Sequence, residues 1–249
     1  MKEFFIENDG VRLHAKLDRP DDQKSSPLCI LIHGFTGNME EDHLQAAVRA
    51  MNDTGVAVLR AEMYGHGKSS GEFRDHTLYK WAGNALAVVD HARKLDFVTD
   101  LYFCGHSQGG LLTMMTGAMC GDELKAIIPL SPAWMIPEYA RKGIVLGNFF
   151  DPEHIPEKIT AKNWELSGDY IRVAKTINAE EMIKAYKGKV LIIHGDADET
   201  VPYSYAEKAA ELYSNAELIN IHGADHCFTG HTDELADAIR QFFKAELAR

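Results

Sequence analysis

Six short apolar runs, residues 28–32, 56–60, 101–104, 126–130, 190–193 and 218–221, punctuate the chain. Each is too short for a buried helix and reads as a strand covered on both faces. Amphipathic stretches separate them. Leu78, Trp81, Ala85, Val88, Ala92 and Leu95 fall at three- and four-residue spacing on one helix face, and Leu235, Ile239, Phe242, Phe243 and Leu247 do the same near the C-terminus. Residues 2–7 and 11–17 read as an opening antiparallel pair, turned by Asn8-Asp9-Gly10. Strands alternating with helices predict an α/β fold, a mostly parallel sheet flanked by helices. The 249 residues fit one such domain over 1–249, with a sizeable core.

The alternation breaks once. Between residues 132 and 188 the chain runs far longer than a crossover needs, with Pro132, Pro137, Pro152 and Pro156 and two of the three tryptophans, Trp134 and Trp164. We read this stretch as a cap inserted between two late strands. It leaves the sheet after a strand's C-terminal end, where open α/β sheets bind ligands. A longer crossover with extra helices and no role in the site is the alternative.

A net charge of −11 argues against nucleic acid and against an anionic membrane surface, since the average field repels both. The partner expected is a small neutral or apolar molecule. No basic leader precedes an apolar stretch, and no apolar run has transmembrane length, so the expected location is cytoplasmic. Cys29, Cys104, Cys120 and Cys227 show no CxxC spacing; Cys29 and Cys104 fall within predicted core strands, where reduced thiols fill space. HExxH and a strand followed by GxGxxG are both missing, so neither a metal nor a nicotinamide or flavin cofactor is expected. The oligomeric state is not legible.

The chemistry is carried by three loops. Gly105-His106-Ser107-Gln108-Gly109-Gly110 lies between the apolar run ending at Cys104 and the helix-like Leu111-Leu112-Thr113-Met114-Met115. A strand, a pinched turn centred on serine and a helix form the elbow that exposes a nucleophile. A serine hydroxyl needs a base to take its proton and a third group to orient that base. His194-Gly195-Asp196-Ala197-Asp198 follows the run 190–193, and His222-Gly223-Ala224-Asp225-His226 follows 218–221. Both therefore sit on the same sheet edge as Ser107, in the order serine, acid, histidine used by the α/β-hydrolase fold. His226 reads as the base. Asp196 and Asp198 are both candidates for the acid by chain order, while Asp225, adjoining His226, is poorly placed to orient it. The turn 33–38, His33-Gly34-Phe35-Thr36-Gly37-Asn38, follows the run 28–32, where that fold supplies a main-chain donor to the oxyanion. The expected donors are the amides of Phe35 and Gln108. His33, His66 and His106 read as structural members of their turns. For Ser107 the plainer alternative is a helix N-cap.

Taken together, HGFTGN, the turn Tyr64-Gly65-His66-Gly67-Lys68-Ser69, GHSQGG, GDADETVP and GADHCF resemble serine hydrolases of the α/β-hydrolase superfamily over essentially the whole chain. The ending GADHCF and the segment DPEHIP (151–156) resemble most the bacterial feruloyl (cinnamoyl) esterases. The resemblance implies that Asp198, in a Gly-x-x-Asp pattern from Gly195, is the acid and Asp196 a brace. It implies hydrolysis of carboxylic esters through an acyl-enzyme, with release of hydroxycinnamic acids such as ferulate. It also implies a cap tyrosine, matched by Tyr170, bonding the phenolic hydroxyl, with Trp164 among the aromatic walls. An early cap carboxylate assists in relatives; here Glu138 is displaced by one position and Tyr139 stands where the acid is expected. The alternatives are a lipase or acylglycerol esterase for aliphatic esters, and a non-catalytic receptor for a small ligand.

Overall fold

The computed structural model describes residues 1–20, 24–161 and 163–248; Lys162, one of the polar residues of the inserted stretch, lies outside them. The strands are β1 (Lys2–Asn8), β2 (Val11–Asp18), β3 (Ser26–Ile32), β4 (Ala57–Ala61), β5 (Val98–His106), β6 (Leu124–Leu130), β7 (Ile144–Val145), β8 (Asn148–Phe149), β9 (Lys158–Ala161), β10 (Trp164–Ser167), β11 (Lys189–Gly195) and β12 (Ala216–Ile221). The helices are α1 (Asp42–Asp53), α2 (Leu78–Arg93), α3 (Gln108–Cys120), α4 (Ile136–Arg141), α5 (Gly168–Thr176), α6 (Ala179–Ala185), α7 (Ser204–Leu212) and α8 (Thr232–Leu247). All six apolar runs form strands of one eight-stranded sheet, ordered β1-β2-β4-β3-β5-β6-β11-β12, with Val56 alone falling just before its strand. β1 and β2 form the expected antiparallel pair, β2 meets β4 antiparallel, and the remaining pairings are parallel.

Alternation along each strand builds two cores. Cys29, Leu31, Tyr102, Cys104, Ile128, Leu191 and Ile193 face the side covered by α1 and α8. Leu28, Ile30, Ile32, Phe103, Ile127, Val190 and Ile192 face the other, with α2 and α3. A one-residue slip of any central strand would exchange these sets, so the doubly apolar runs fix the layer order without fixing register alone. Cys29 and Cys104 are free and buried on the same face, and burial pushes the Cys29 thiol well up, as fits a space filler.

The order explains where a site can form. From β3 the chain passes to β4 on one side and then returns to β5 on the other, so the loops after β3 and β5 diverge and leave a crevice. Residues 131–188 hold α4, the β7–β8 and β9–β10 hairpins, α5 and α6. Of these, α6 packs beside α3 and α7 in the ordinary helical layer, whereas β10 and α5 reach the loops after β3 and β5. No helix among the described residues is long and apolar enough to cross a membrane.

Candidate active site

Ser107 stands between β5 and α3 with φ 57° and ψ −117°, a backbone region that costs a non-glycine residue about 1–3 kcal/mol. Three main-chain bonds hold it there. Its N–H donates to the Leu130 carbonyl at 2.9 Å, and its carbonyl accepts from Leu111 and Ala133, each at 3.0 Å. The flanking glycines are required by close approach. A Cβ at Gly105 would lie 2.3 Å from the Gly109 oxygen, and one at Gly109 would lie 2.4 Å from the His33 oxygen. The turn can close only because both lack side chains.

The Ser107 Oγ is 2.9 Å from His226 Nε2, and His226 Nδ1 is 2.7 Å from Asp198 Oδ2. The histidine loop is tethered to β5, since His106 Nε2 donates to the His226 carbonyl at 2.8 Å. That bond gives His106 the structural role expected of it. Asp198 is buried and receives four N–H donors. Its Oδ1 accepts from Thr200 and Val201 main-chain amides, each at 2.8 Å, and its Oδ2 from His226 and from His194 Nε2 at 2.9 Å. Burial by itself would raise the Asp198 carboxyl, but the bonds from His194 and His226 outweigh it and hold the group far below the usual carboxylate range. It is therefore ionised, with every lone-pair direction engaged.

His194 is not singled out by the sequence. It is fully buried, shares its Nε2 proton between Asp198 and the Val201 carbonyl at 3.1 Å, and its Nδ1 has no partner among the described residues. The signal is present as a histidine four residues before the acid, but only burial distinguishes it from the other histidines. Asp196 instead braces the surface, its carboxylate accepting from His222, Asn220 and the Gly223 amide. Asp225 caps its own turn through the amides of Cys227 and Thr229.

The loop 33–38 lies against the serine. A Cβ built on Gly34 would sit 3.2 Å from the Ser107 Cβ. Phe35 is buried in edge-to-face contact with Trp164 and Tyr170, at ring separations of 5.4 and 5.8 Å. Gln108 opens α3, so its main-chain N–H has no intrahelical acceptor. Its side-chain Oε1 accepts from the Tyr170 hydroxyl at 2.6 Å, and its Nε2 is buried without a partner among the described residues.

A cavity of about 270 Å³, lined by Met135, Ile136, Tyr139, Ala140, Tyr170, Glu199 and Thr200 together with the β7–β8 turn, reaches these groups through Tyr170. Tyr170 thus joins the cavity wall to the residue after Ser107. Trp164, packed against Phe35 and half-buried, lines a separate, more open groove with Thr36, Phe73 and Arg74. Glu138 is not among the cavity's residues. Its carboxylate pairs with Lys142 at 2.5 Å and accepts from the Tyr205 hydroxyl at 3.1 Å. The helical period is the reason: Met135, Ile136, Tyr139 and Ala140 share one face of α4, and Glu138 falls off it.

A family profile described as "Serine aminopeptidase, S33" matches residues 23–167, and one described as "TAP-like protein" matches 147–246. A structure of Est1E from Butyrivibrio proteoclasticus with ferulic acid bound is 51% identical, with a TM-score of 0.97 over 99% of this chain and 100% of that one. Est1E itself is also found at 48% identity and a TM-score of 0.94, covering 99% of each chain. Among curated proteins, the lysophosphatidylserine lipase ABHD12 of Danio rerio is 23% identical over 90% of this chain and 59% of its own. The chain spans 59% and 51% of the length of the first two curated relatives it matches. An elbow serine within hydrogen-bonding reach of a histidine, on this sheet and with these matches, leads to one assignment: the chain belongs to the serine aminopeptidase S33 family of the α/β-hydrolase superfamily.

Proposed function

We propose that the protein is a serine carboxylesterase that releases hydroxycinnamic acids such as ferulate through an acyl-enzyme. The observation that carries this reading is the unbroken chain from Ser107 Oγ to His226 at 2.9 Å and on to Asp198 at 2.7 Å. In this mechanism His226 takes the Ser107 proton as Oγ attacks the ester carbonyl. The main-chain amides of Phe35 and Gln108 stabilise the resulting oxyanion. His226 then protonates the departing alcohol, and water repeats the cycle to free the acid. Asp198 keeps the proton of His226 on Nδ1, so that Nε2 is bare when the serine needs it. The whole chain acts as one catalytic domain, with the stretch from about 132 to 188 serving as its cap.

The acyl preference draws on similarity to Est1E, whose structure holds ferulic acid, and on the cavity that Tyr170 joins to the residue after Ser107. Tyr139 and Tyr170 offer aromatic walls to a flat acyl group, and Trp164 packs edge-on against Phe35. A cavity just below the ordinary size range fits a compact acyl group better than a long chain. The aliphatic face of Ile136, Ala140, Ile144 and Val145 supports a second reading, a short-chain alkyl esterase. We place the enzyme in the cytoplasm, a compartment that keeps thiols such as Cys29 and Cys104 reduced.

A panel of methyl esters with hydroxycinnamoyl, butanoyl and octanoyl groups, run on the protein and on Ser107→Ala, tests both parts. Ferulate and coumarate esters should turn over fastest, and Ser107→Ala should lose activity by a factor on the order of 10⁶, as in related triads. Octanoate outrunning every hydroxycinnamate would reject the acyl assignment. A tenth of the activity surviving in Ser107→Ala would reject the mechanism.

A further inference from the structure

His33 is completely buried, and its ring packs against those of His66 and Trp81 at centroid distances of 4.9 and 5.2 Å. Burial, reinforced by the neighbouring His66, pushes its pKa down to about 3, so the ring is neutral at ordinary pH. A neutral imidazole carries one N–H, and the surroundings decide which nitrogen bears it. The Met63 main-chain N–H donates to Nε2 at 3.1 Å. An amide cannot reverse that role, so Nε2 is the bare nitrogen and Nδ1 holds the proton. Nδ1 lies 2.7 Å from the Gly34 carbonyl oxygen and donates to it.

The Gly34 carbonyl and the Phe35 N–H are the two ends of one peptide unit. The unit is planar and trans, so they point in opposite directions. Holding the carbonyl toward His33 aims the N–H away from it. The same loop lies against the nucleophile, with a Cβ on Gly34 falling 3.2 Å from the Ser107 Cβ. The Gly37 amide also donates to the Gly34 oxygen, at 3.2 Å, closing the turn from the solvent side. The shorter bond, from the buried ring, is the one built on a rigid support.

We infer that His33 is a positioning residue for the oxyanion: with its tautomer set by Met63, it locks the Gly34–Phe35 peptide in the orientation that presents the Phe35 amide to the substrate oxygen. This rests on the proposed role of the Phe35 amide. A hydrogen bond accepted at the carbonyl also polarises the peptide and strengthens its N–H as a donor. His33 touches neither substrate nor Ser107; it acts through one peptide plane. The sequence reading of His33 as a structural member of its turn thereby gains a specific content.

Two substitutions separate the two ends of the ring. In His33→Asn the amide nitrogen falls near the place of Nδ1 and can still donate to Gly34, while the bond from Met63 is lost. In His33→Gln the amide reaches toward the place of Nε2, keeping Met63 and losing Gly34. Kinetics on a ferulate ester, thermal midpoints and binding of phenylboronic acid are measured for both. Phenylboronic acid mimics the tetrahedral state: Ser107 Oγ bonds to boron, the serine proton passes to His226, and boron becomes a tetrahedral anion.

His33→Gln should lose roughly 10- to 100-fold in kcat, the scale of a donor misplaced by about an ångström, with KM little changed. Boronate affinity should fall in parallel. His33→Asn should stay within about tenfold of the parent in kcat despite a comparable fall in thermal midpoint. Equal kcat in the two variants, a better His33→Gln, or a loss confined to KM would overturn the inference. If neither variant folds, ¹⁵N-imidazole spectra of the parent protein decide. His33 should be the neutral Nδ1–H tautomer, and an Nε2–H tautomer would refute the lock. Failure of the underlying mechanism has a different signature, because the parent protein itself would then lack Ser107-dependent turnover and boronate binding.

Discussion

Replacing Asp198 by asparagine tests the acid at the point where two explanations diverge. The Asp198 Oδ1 accepts from the main-chain amides of Thr200 and Val201, each at 2.8 Å, and those donors cannot change role. In Asp198→Asn the side-chain oxygen must therefore stay with them, and the NH₂ group takes the place of Oδ2. It then faces His226 Nδ1 and His194 Nε2, which in the parent lie 2.7 and 2.9 Å from an acceptor. His226 can meet a donor only by baring Nδ1 and moving its proton to Nε2, which points at Ser107. In that tautomer it cannot take the serine proton. The corresponding change in a serine protease costs about 10⁴ in kcat, and the same logic predicts a loss of that order here. His194 keeps its Nε2 proton on the Val201 carbonyl at 3.1 Å, so the new NH₂ meets a second N–H instead of an acceptor, a destabilisation of about 1–3 kcal/mol. The assay is kcat on a chromogenic ferulate ester, with circular dichroism and a thermal midpoint to establish that the variant is folded. Asp196→Asn is the control, since its partners lie in the exposed loops around His222 and Asn220. A folded Asp198→Asn within tenfold of the parent would refute the reasoning, as would a larger loss from Asp196→Asn.

His194→Phe should keep the ring contact with Tyr203 but remove a donor from Asp198, lowering kcat about tenfold and destabilising the fold by about 1.5–3 kcal/mol, read by ester kinetics and denaturant titration. Unchanged kcat would show that the second donor is idle. Gly109→Ala should abolish activity or folding, because the new Cβ meets main-chain oxygens at 2.4 and 2.7 Å. Gly83→Ala, with nothing within 4 Å on α2, should instead raise the thermal midpoint slightly, by about 1 kcal/mol of stability. Burial pushes His33 and His76 down to about 3 and His43 to about 4 from 6.5, so the unfolded chain binds protons there that the folded one does not. Stability is therefore full above pH 6.5 and falls as the pH drops from 6.5 toward 4, by about 1 kcal/mol per group per pH unit. A thermal midpoint flat across that range would contradict the buried neutral rings.

The sheet and its helices are legible because burial on both faces leaves uninterrupted apolar runs, and the serine elbow because only small residues permit it. Asp198 is harder. Chain order leaves Asp196 equally eligible, and what separates them is the 2.7 Å contact of Asp198 with His226, which sequence does not display. His194 escapes sequence reading since a histidine's role follows from its partners, and twelve histidines look alike until burial sorts them. Resemblance has Tyr170 offering its hydroxyl to substrate. In the structure that hydroxyl is given to Gln108, across 62 positions of chain, a contact no local pattern encodes. Glu138 is a candidate by analogy alone; on α4 it is Tyr139 that lines the cavity.

The segment between β6 and β11 supplies most of the cavity wall, yet it contains none of Ser107, Asp198 or His226, and neither of the peptide units beside the serine. On the proposed mechanism, the cavity wall and the proton path thus lie on separate stretches of chain. Such an arrangement lets the wall be redrawn by insertion, deletion or transplantation while the proton path stays untouched. The bond from Tyr170 to Gln108 is where this freedom stops, because it runs from the exchangeable wall to the residue next to the nucleophile. A grafted wall that lacks a hydroxyl at that point would leave the buried Gln108 amide doubly unsatisfied, and would carry its defect straight to the serine.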